Sequence, residues 1–409
     1  MSPPPPNNRR RNVRATAVAI AILAMAAGLV ARSRARHDPT RLLLQAQEDL
    51  RAGRADRAEA ALKALGRLGE FGPPERLFRA QVASARGRGD DALADLASIP
   101  DSNPLSPIAR LLAGQIEIRR GRTRAAEAAF LAALAVEPDT VQARKELVFI
   151  YNIQQRQAEL DAQLGALAER DQLNYGHLLH WTRTRNVVWN PEPDVKNLAR
   201  FVAADPGDRA SRLALAEGLR RLARLGPAAE ALAPVPDADA DARVIRVRIA
   251  LDRGDEAAVE SLLAGGPPDH PGLSALRGQR ALARRDAPTA VRNLEVALAS
   301  RPDDRSCLFG LASALSLAGD EPAARPYFER ARRFDALAPL MAALTTDRAR
   351  NEPGLFARMG EACVAVGRTD EARAWFKQAI ARDPLDSRSQ QALYRIDADR
   401  PAAARPGPA

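Results

Sequence analysis

The amino-acid sequence predicts an all-α protein, a solenoid of stacked helix–turn–helix repeats, because small residues recur at a fixed spacing. Ala58, Ala92 and Ala126 stand 34 residues apart. The same step continues at Leu160, Asp194 and Ala228. A period of this length is typical of stacked supersecondary units rather than of one globular core. Aromatic residues make up only 4% of the chain, which favours closely packed helices over sheets.

Two further columns of residues repeat with the same period and assign roles within each unit. Glycines stand five residues before the first alanines, at Gly53, Gly87 and Gly121. Small residues stand twelve residues before the same alanines, at Ala46, Ala80 and Gly114. The glycines predict a turn, and the small residues predict the point where two helices touch.

The pattern resembles that of tetratricopeptide repeats, in which large and small residues alternate at fixed positions of a helix–turn–helix unit. The clearest copy is Glu352–Leu385, with Gly360 on the first helix and Ala372 and Phe376 on the second. The resemblance covers residues 40–397 in about ten repeats and implies a right-handed superhelix with a concave groove. Each pair of helices is expected to bury its apolar stripe only against the next pair.

Two parts of the array depart from the regular pattern. The fifth unit has Asp194 in place of the alanine and two neighbouring prolines, so a longer turn between its helices is predicted. The step from Ala324 to Ala372 is 48 residues rather than 34, which indicates an inserted short helix within residues 336–350. We expect a capping helix after the last repeat and a disordered Pro/Ala tail at 398–409.

The N-terminal segment predicts membrane attachment. Residues 15–31 form an uncharged run of 17 residues, at the short end of what spans a bilayer. The preceding tail, 1–14, is Pro-rich and basic, so we expect it to be disordered and to stay in the cytoplasm. This predicts a transmembrane signal-anchor, a linker at 32–39 and repeats on the periplasmic or extracytoplasmic side of a bacterial membrane. Cleavage near Ala26 would give a secreted protein instead, and the reverse orientation stays open because arginines flank both ends.

The net charge of +10 does not indicate nucleic-acid binding. Seven arginines lie within residues 1–36, and removing them leaves 54 basic against 51 acidic groups. Because the excess is concentrated in that segment, binding to a phosphate backbone has little support. The two cysteines, Cys307 and Cys363, match no zinc or redox spacing and are expected to be buried thiols. No catalytic motif is present, which predicts a non-enzymatic protein without a cofactor.

One cluster stands out in this aromatic-poor chain. His177, His180 and Trp181 lie next to one another on a predicted helix, with Tyr175 and Trp189 nearby. The cluster predicts an irregular core between helices, although a partner-binding hot spot is an alternative. A second alternative is an accessory or divergent module that holds a metal or cofactor there.

The resemblance also implies which residues face the groove. The candidates for partner contact on the first helices are Lys145, Phe149, Asn152, Arg183 and Arg220. Some tetratricopeptide relatives hold a peptide's terminal carboxylate with Lys, Asn and Arg side chains, and four of these residues could do the same, although solvated surface is the alternative. We therefore expect a membrane-anchored scaffold that binds a protein or peptide of unknown identity, with homo-oligomerisation possible.

Overall fold

The computed structural model describes residues 39–399 apart from 68, 70, 186–189, 345, 347–350 and 353. Throughout these residues the chain is helical and contains no strand, which confirms the all-α prediction. None of the described helices is long and apolar enough to cross a membrane. The signal-anchor, linker and tails predicted at the two chain ends lie outside the described residues, except for residues 39 and 398–399.

The described helices follow one another with short connections. In chain order they are α1 (Pro39–Arg51), α2 (Ala55–Gly66), α3 (Pro73–Ala85), α4 (Gly89–Ala97), α5 (Ser106–Arg119), α6 (Thr123–Val136), α7 (Val141–Ile153), α8 (Gln157–Glu169), α9 (Tyr175–Arg185), α10 (Glu192–Ala204), α11 (Arg209–Arg221), α12 (Leu225–Leu232), α13 (Ala240–Arg253), α14 (Glu256–Ala264), α15 (Pro271–Ala283), α16 (Ala287–Ser300), α17 (Arg305–Leu317), α18 (Glu321–Asp335), α19 (Leu337–Leu344), α20 (Leu355–Ala365), α21 (Thr369–Arg382) and α22 (Ser387–Asp399).

The alanine column lies at the centre of the helix packing. Its members on the second helices are fully buried at Ala58, Ala92, Ala126, Ala228, Ala290, Ala324 and Ala372. The small residues on the first helices, twelve residues before these alanines, are packed just as closely. A side chain added at Gly360 on α20 would place its Cβ 2.6 Å from the ring of Phe376 on α21. The small residues therefore let the two helices of a repeat approach closely, as the spacing predicts.

The turns inside the repeats use a left-handed residue between the two helices. At the glycine column, Gly53, Gly87 and Gly121 have φ of 73°, 76° and 80°. Three other repeats place Gln155, Ala223 and Arg285 at the same position, with φ of 56°, 58° and 60°. Residues with a Cβ adopt this conformation at a steric cost, so these three turns are less favourable than the glycine turns.

The second helices begin in two different ways. Aspartate side chains cap α14, α16 and α18 by accepting a backbone N–H bond, as Asp320 does from Ala323 at 3.0 Å. Arginine occupies the same position before α4 and α8 and makes no capping bond. Instead, Arg156 pairs with Glu127 on the preceding second helix at 2.7 Å. The arginine thus connects neighbouring repeats where the aspartate stabilises its own helix.

The described residues form two compact units. Unit 1 comprises residues 39–119 and 131–138, and unit 2 comprises residues 120–130 and 139–399. In unit 1, α1, α2 and α3 share one apolar cluster, and α3, α4 and α5 share the next. In unit 2, one cluster joins α7 with α10–α13, and a second joins α13, α14 and α15. Successive pairs therefore share their cores along the chain, as stacked repeats require.

The expectation that each pair packs only against the next pair is wrong at two places in unit 2. The first connects the third helix pair (α5–α6), the fourth pair (α7–α8) and the sixth pair (α11–α12). Thr123 at the start of α6 donates a hydrogen bond to Asp208, the N-cap of α11, and Gln154 donates to Ser211 at 3.0 Å. These side chains are buried, so the polar contact is shielded from solvent and fixes the position of α11.

The second place joins repeats that are far apart in sequence, because α8 and α9 contact α21. The Trp375 indole N–H donates to Thr182 Oγ1 at 3.2 Å, and the Thr182 hydroxyl donates to Glu371. Tyr175 stacks on Phe356 with 5.7 Å between ring centroids. We call these five residues the closing contact. The regular columns do not encode this contact, since it depends on side chains of the irregular fifth unit.

The structure has a helix within the predicted insertion and a long connection in the fifth pair (α9–α10), the two irregularities predicted from spacing. A short helix, α19, occupies part of the predicted insertion, and α22 follows the last repeat. In the fifth pair, α9 ends at Arg185 and α10 begins only at Glu192. The limits of the domains and the handedness of a superhelix stay predictions.

Candidate partner-binding sites

A cluster of arginines surrounds one largely buried carboxylate on α11, whose side chain is 13% exposed. Glu217 accepts bonds from Arg220 Nε and Nη2, both at 2.9 Å, and from Arg221 Nε at 3.1 Å. Arg248 on α13 approaches the same carboxylate at 3.6 Å. Arg220 also pairs with Asp252 at 2.6 Å. Glu217 therefore shares its charge among three guanidinium groups.

The electrostatics of this cluster leave an excess of positive charge around Arg248. Burial lowers the pKa of Arg248, and the neighbouring guanidinium groups, including Arg220 and Arg301, lower the pKa further against the attraction of Glu217. Burial would raise the pKa of Glu217, but the arginines hold it below its usual value. The side chain of Arg248 is still 36% exposed. An anionic group entering from solvent would therefore relieve the crowding of like charges. We call Arg220, Arg221, Arg248 and Arg301 the arginine cluster.

Only Arg220 of this cluster was predicted from the sequence. Arg248 follows Glu217 by 31 residues, and the repeat step at this point shortens from 34 to 30 residues. The shortened step hides the equivalence of the two positions. Counting from the turn residues Ala223 and Gly254 would have aligned them, since each lies six residues after its charged residue.

The predicted residues of α7 form a separate patch. Lys145, Phe149 and Asn152 follow one another at helical spacing, and Phe149 is 41% exposed. Burial lowers the pKa of His177, and the nearby Lys145 ammonium and His180 lower it further. The patch on α7 therefore lies near the histidine end of α9, which brings two of the predicted groups together.

The aromatic and histidine cluster divides into a buried part and a surface part. Trp181 is 2% exposed, and its indole N–H donates to Asp161 at 2.8 Å. His180 lies at the surface of the same helix. Trp181 therefore belongs to the core of the fifth unit. The side chain of Arg183 and the whole of Trp189 lie outside the described residues.

The described residues do not test the predicted carboxylate clamp, since the side chain of Arg183 lies outside them. No hydrogen bond or ion pair there joins Lys145 or Asn152 to Arg220, whose guanidinium is engaged by Glu217 and Asp252. The clamp stays a prediction. The arginine cluster is the stronger candidate, because Arg220, Arg221 and Arg248 converge on Glu217.

Other chemistry is less well supported in the described part of the chain. No group of three or more His, Cys, Asp or Glu side chains there could hold a metal ion. Neither cysteine forms a disulfide, and burial raises the pKa of Cys307 to about 12. A cavity of about 570 Å³ in unit 1 is lined by Phe71, Arg79 and Asp95 among others. The last two bond to each other there, so the cavity presents a satisfied ion pair.

Comparison with known proteins supports the repeat assignment in one segment. No curated protein matches the chain in sequence. Among solved structures, the chain resembles the APC/C hetero-tetramer Cut9–Hcn1 at 13% identity, covering 88% of this chain and 83% of that one, with a TM-score of 0.33. A tetratricopeptide repeat protein from Parabacteroides merdae aligns at 13% identity over 79% and 98%, with a TM-score of 0.20. The P58(IPK) TPR domain aligns at 14% identity over 88% and 98%, with a TM-score of 0.26.

TM-scores this low do not by themselves establish a shared arrangement of helices. The family model of the tetratricopeptide repeat, however, matches residues 354–384. This range is the pair α20–α21, in which Gly360, Ala372 and Phe376 occupy the small, small and large positions of the pattern. The resemblance inferred from spacing is thereby confirmed for this segment: residues 354–384 form a tetratricopeptide repeat.

Proposed function

We propose that this protein is a non-enzymatic scaffold that binds an acidic protein or peptide segment at the arginine cluster of unit 2. The observation that carries the proposal is the convergence of Arg220, Arg221 and Arg248 on Glu217. Guanidinium groups bind carboxylates and phosphates in paired geometry, so an acidic segment matches the cluster. Tetratricopeptide repeats in general suit protein partners, which agrees with this assignment.

The patch of α7 adds an apolar contact next to a positive charge. Phe149 presents its ring to solvent, and within the described residues no carboxylate pairs with Lys145. An exposed aromatic residue beside a cation is typical of surfaces that anchor a partner. We assign Lys145, Phe149 and Asn152 to a second contact with the same partner.

A library of peptides of graded net charge tests the proposal with the purified soluble part of the chain. We expect acidic peptides to bind, Arg248→Glu to weaken binding at least about tenfold, and affinity to fall as salt rises, since screening shortens the reach of exposed charges. Arg57→Glu on α2 is the matched control, because Arg57 is exposed, belongs to unit 1 and is remote in sequence from the cluster. Equal binding by both variants, or turnover of a substrate by the purified protein, would contradict the scaffold function.

We also propose that the chain is held at a bacterial membrane by residues 15–31. The support is the uncharged run of 17 residues between arginines. Membrane fractionation followed by N-terminal sequencing tests this. An intact N-terminus in the membrane fraction is expected. A soluble protein that begins just after Ala26 would show cleavage instead, and accessibility of the repeats to protease in spheroplasts decides the orientation.

A further inference from the structure

Helix α21 belongs to a repeat that is complete without the fifth pair. Its Phe376 fills the space over Gly360 of α20, and Leu355 and Met359 on α20 are also fully buried. On its other side α22 packs against it. The last repeat therefore has its own core, and contact with α9 is an addition to this core.

The fifth pair is likewise anchored without α21. Trp181 bonds to Asp161 of α8, while Leu160, Leu164 and Leu167 of α8 are fully buried. Separation of α9 from α21 would thus break the closing contact, together with the hydrogen bond that the Tyr175 hydroxyl donates to the Leu344 carbonyl of α19 at 2.6 Å, but leave the local packing of each side in place. Segments that are internally complete can separate as cooperative units below the free energy of global unfolding.

Glu371 of the closing contact and the neighbouring Arg368 are buried and incompletely bonded. Arg368 and Glu371 are 4% and 1% exposed. Arg368 Nη2 donates to Asp303 at 3.0 Å, but its Nε and Nη1 and the Glu371 Oε2 have no hydrogen-bond partner among the described residues. The nearest approach between the two side chains is 3.9 Å. The Glu371 carboxylate, which Thr182 bonds across the contact, regains hydrogen bonds to water when the contact opens, and this offsets part of the cost of opening.

Ion pairs at the edge of the contact add a salt-sensitive component. Lys377 of α21 pairs with Asp171, which follows α8, and Asp171 is 62% exposed. The exposed Lys377–Asp171 pair contributes little and is screened by salt. Arg373, which is buried, donates to the Ala168 carbonyl at 3.4 Å and is not an ion pair of this kind. In the closed state the buried Trp375 and the Tyr175–Phe356 stack supply the apolar stabilisation.

We propose that the last repeat is a releasable closing segment: α21 holds the fifth pair through Thr182, Glu371 and Trp375, and its release opens unit 2 without unfolding the repeats on either side. The closing contact joins α9 to a helix about 190 residues later in the chain. The row of repeats between α9 and α21 therefore begins and ends at one contact. Opening this contact frees the two ends of the row from each other.

Hydrogen exchange measured by mass spectrometry tests this on the full chain. Thr182→Arg places a long charged side chain where Trp375 and Glu371 meet. We expect exchange in α9 and α21 to rise about tenfold while α15 and α16 keep wild-type protection. Small-angle scattering should show a larger radius of gyration with unchanged helical circular dichroism. Thr369→Arg, at an exposed position of α21, is the matched control and should leave exchange unchanged.

A milder variant keeps the test valid if Thr182→Arg fails to fold. Lys377→Asp should open the contact partially, and the charge-swapped pair Lys377→Asp with Asp171→Lys should restore protection. The proposal is overturned if protection in α15 and α16 falls together with that in α21, because the contact then opens only with global unfolding. It is equally overturned if a folded Thr182→Arg protein shows wild-type exchange in α9 and α21.

Discussion

Gly360 and Thr182 occupy the same position of the repeat, twelve residues before Ala372 and Asp194, and both contact helix α21. Gly360 lies on the first helix of the same repeat and packs against Phe376 without any polar contact. Thr182 reaches α21 from the fifth pair and meets Trp375 and Glu371 through hydrogen bonds. The regular repeat thus specifies a local apolar contact, whereas the irregular pair specifies a distant polar one.

The largest expected effect lies on the regular side of this comparison. Phe376→Ala should lower the free energy of unfolding by about 3–5 kcal/mol, because it removes a fully buried ring and leaves a cavity over Gly360. Chemical denaturation followed by circular dichroism measures the loss. Tyr394→Ala, at a side chain that is 76% exposed, should change stability by no more than about 0.5 kcal/mol. Similar losses in the two variants would show that α20 and α21 do not pack as described.

The second-largest expected effect concerns the polar contact of Thr182 with Trp375 and Glu371. Thr182→Val should cost about 1–3 kcal/mol, since it leaves the Trp375 indole and the Glu371 carboxylate without a buried partner. A double-mutant cycle with Trp375→Phe isolates the bond between the two side chains, and we expect a coupling energy of about 0.5–3 kcal/mol. Additive effects would argue that the two side chains do not interact. Thr369→Val is the exposed control.

The sequence predicts one half of this comparison and not the other. Gly360 and Phe376 belong to columns that recur every repeat, so local periodicity is enough to place them together. Nothing periodic marks Thr182, Glu371 and Trp375 as partners, because their contact depends on how distant repeats meet. Arg248 is an intermediate case, since it lies on the repeat pattern, but a shortened turn shifts its position relative to the alanine column.

A third and smaller effect concerns how the second helices begin. Asp320→Ala should destabilise by about 1 kcal/mol, because the aspartate accepts the Ala323 N–H at the start of α18. Asp320→Asn should recover most of this, as asparagine caps equally well. Thermal unfolding of the three proteins gives the comparison. If asparagine restored nothing, the aspartate would act through its charge and not as a cap.

The smallest effect compares turns with and without glycine. Ala223 adopts φ of 58° at the position where the last repeat has Gly367 with φ of 79°. Ala223→Gly should therefore stabilise the protein by about 1 kcal/mol or less, because relief of the left-handed strain exceeds the added flexibility of the unfolded chain. The reciprocal change Gly319→Ala, in a turn with φ of 86° and open space around the added Cβ, should destabilise by a similar amount. Since neither change adds or removes a packing contact, opposite signs in denaturant midpoints assign the effect to the backbone. Equal signs would instead indicate that the two turns differ in their surroundings, and the equivalence of the repeats at this position would fail.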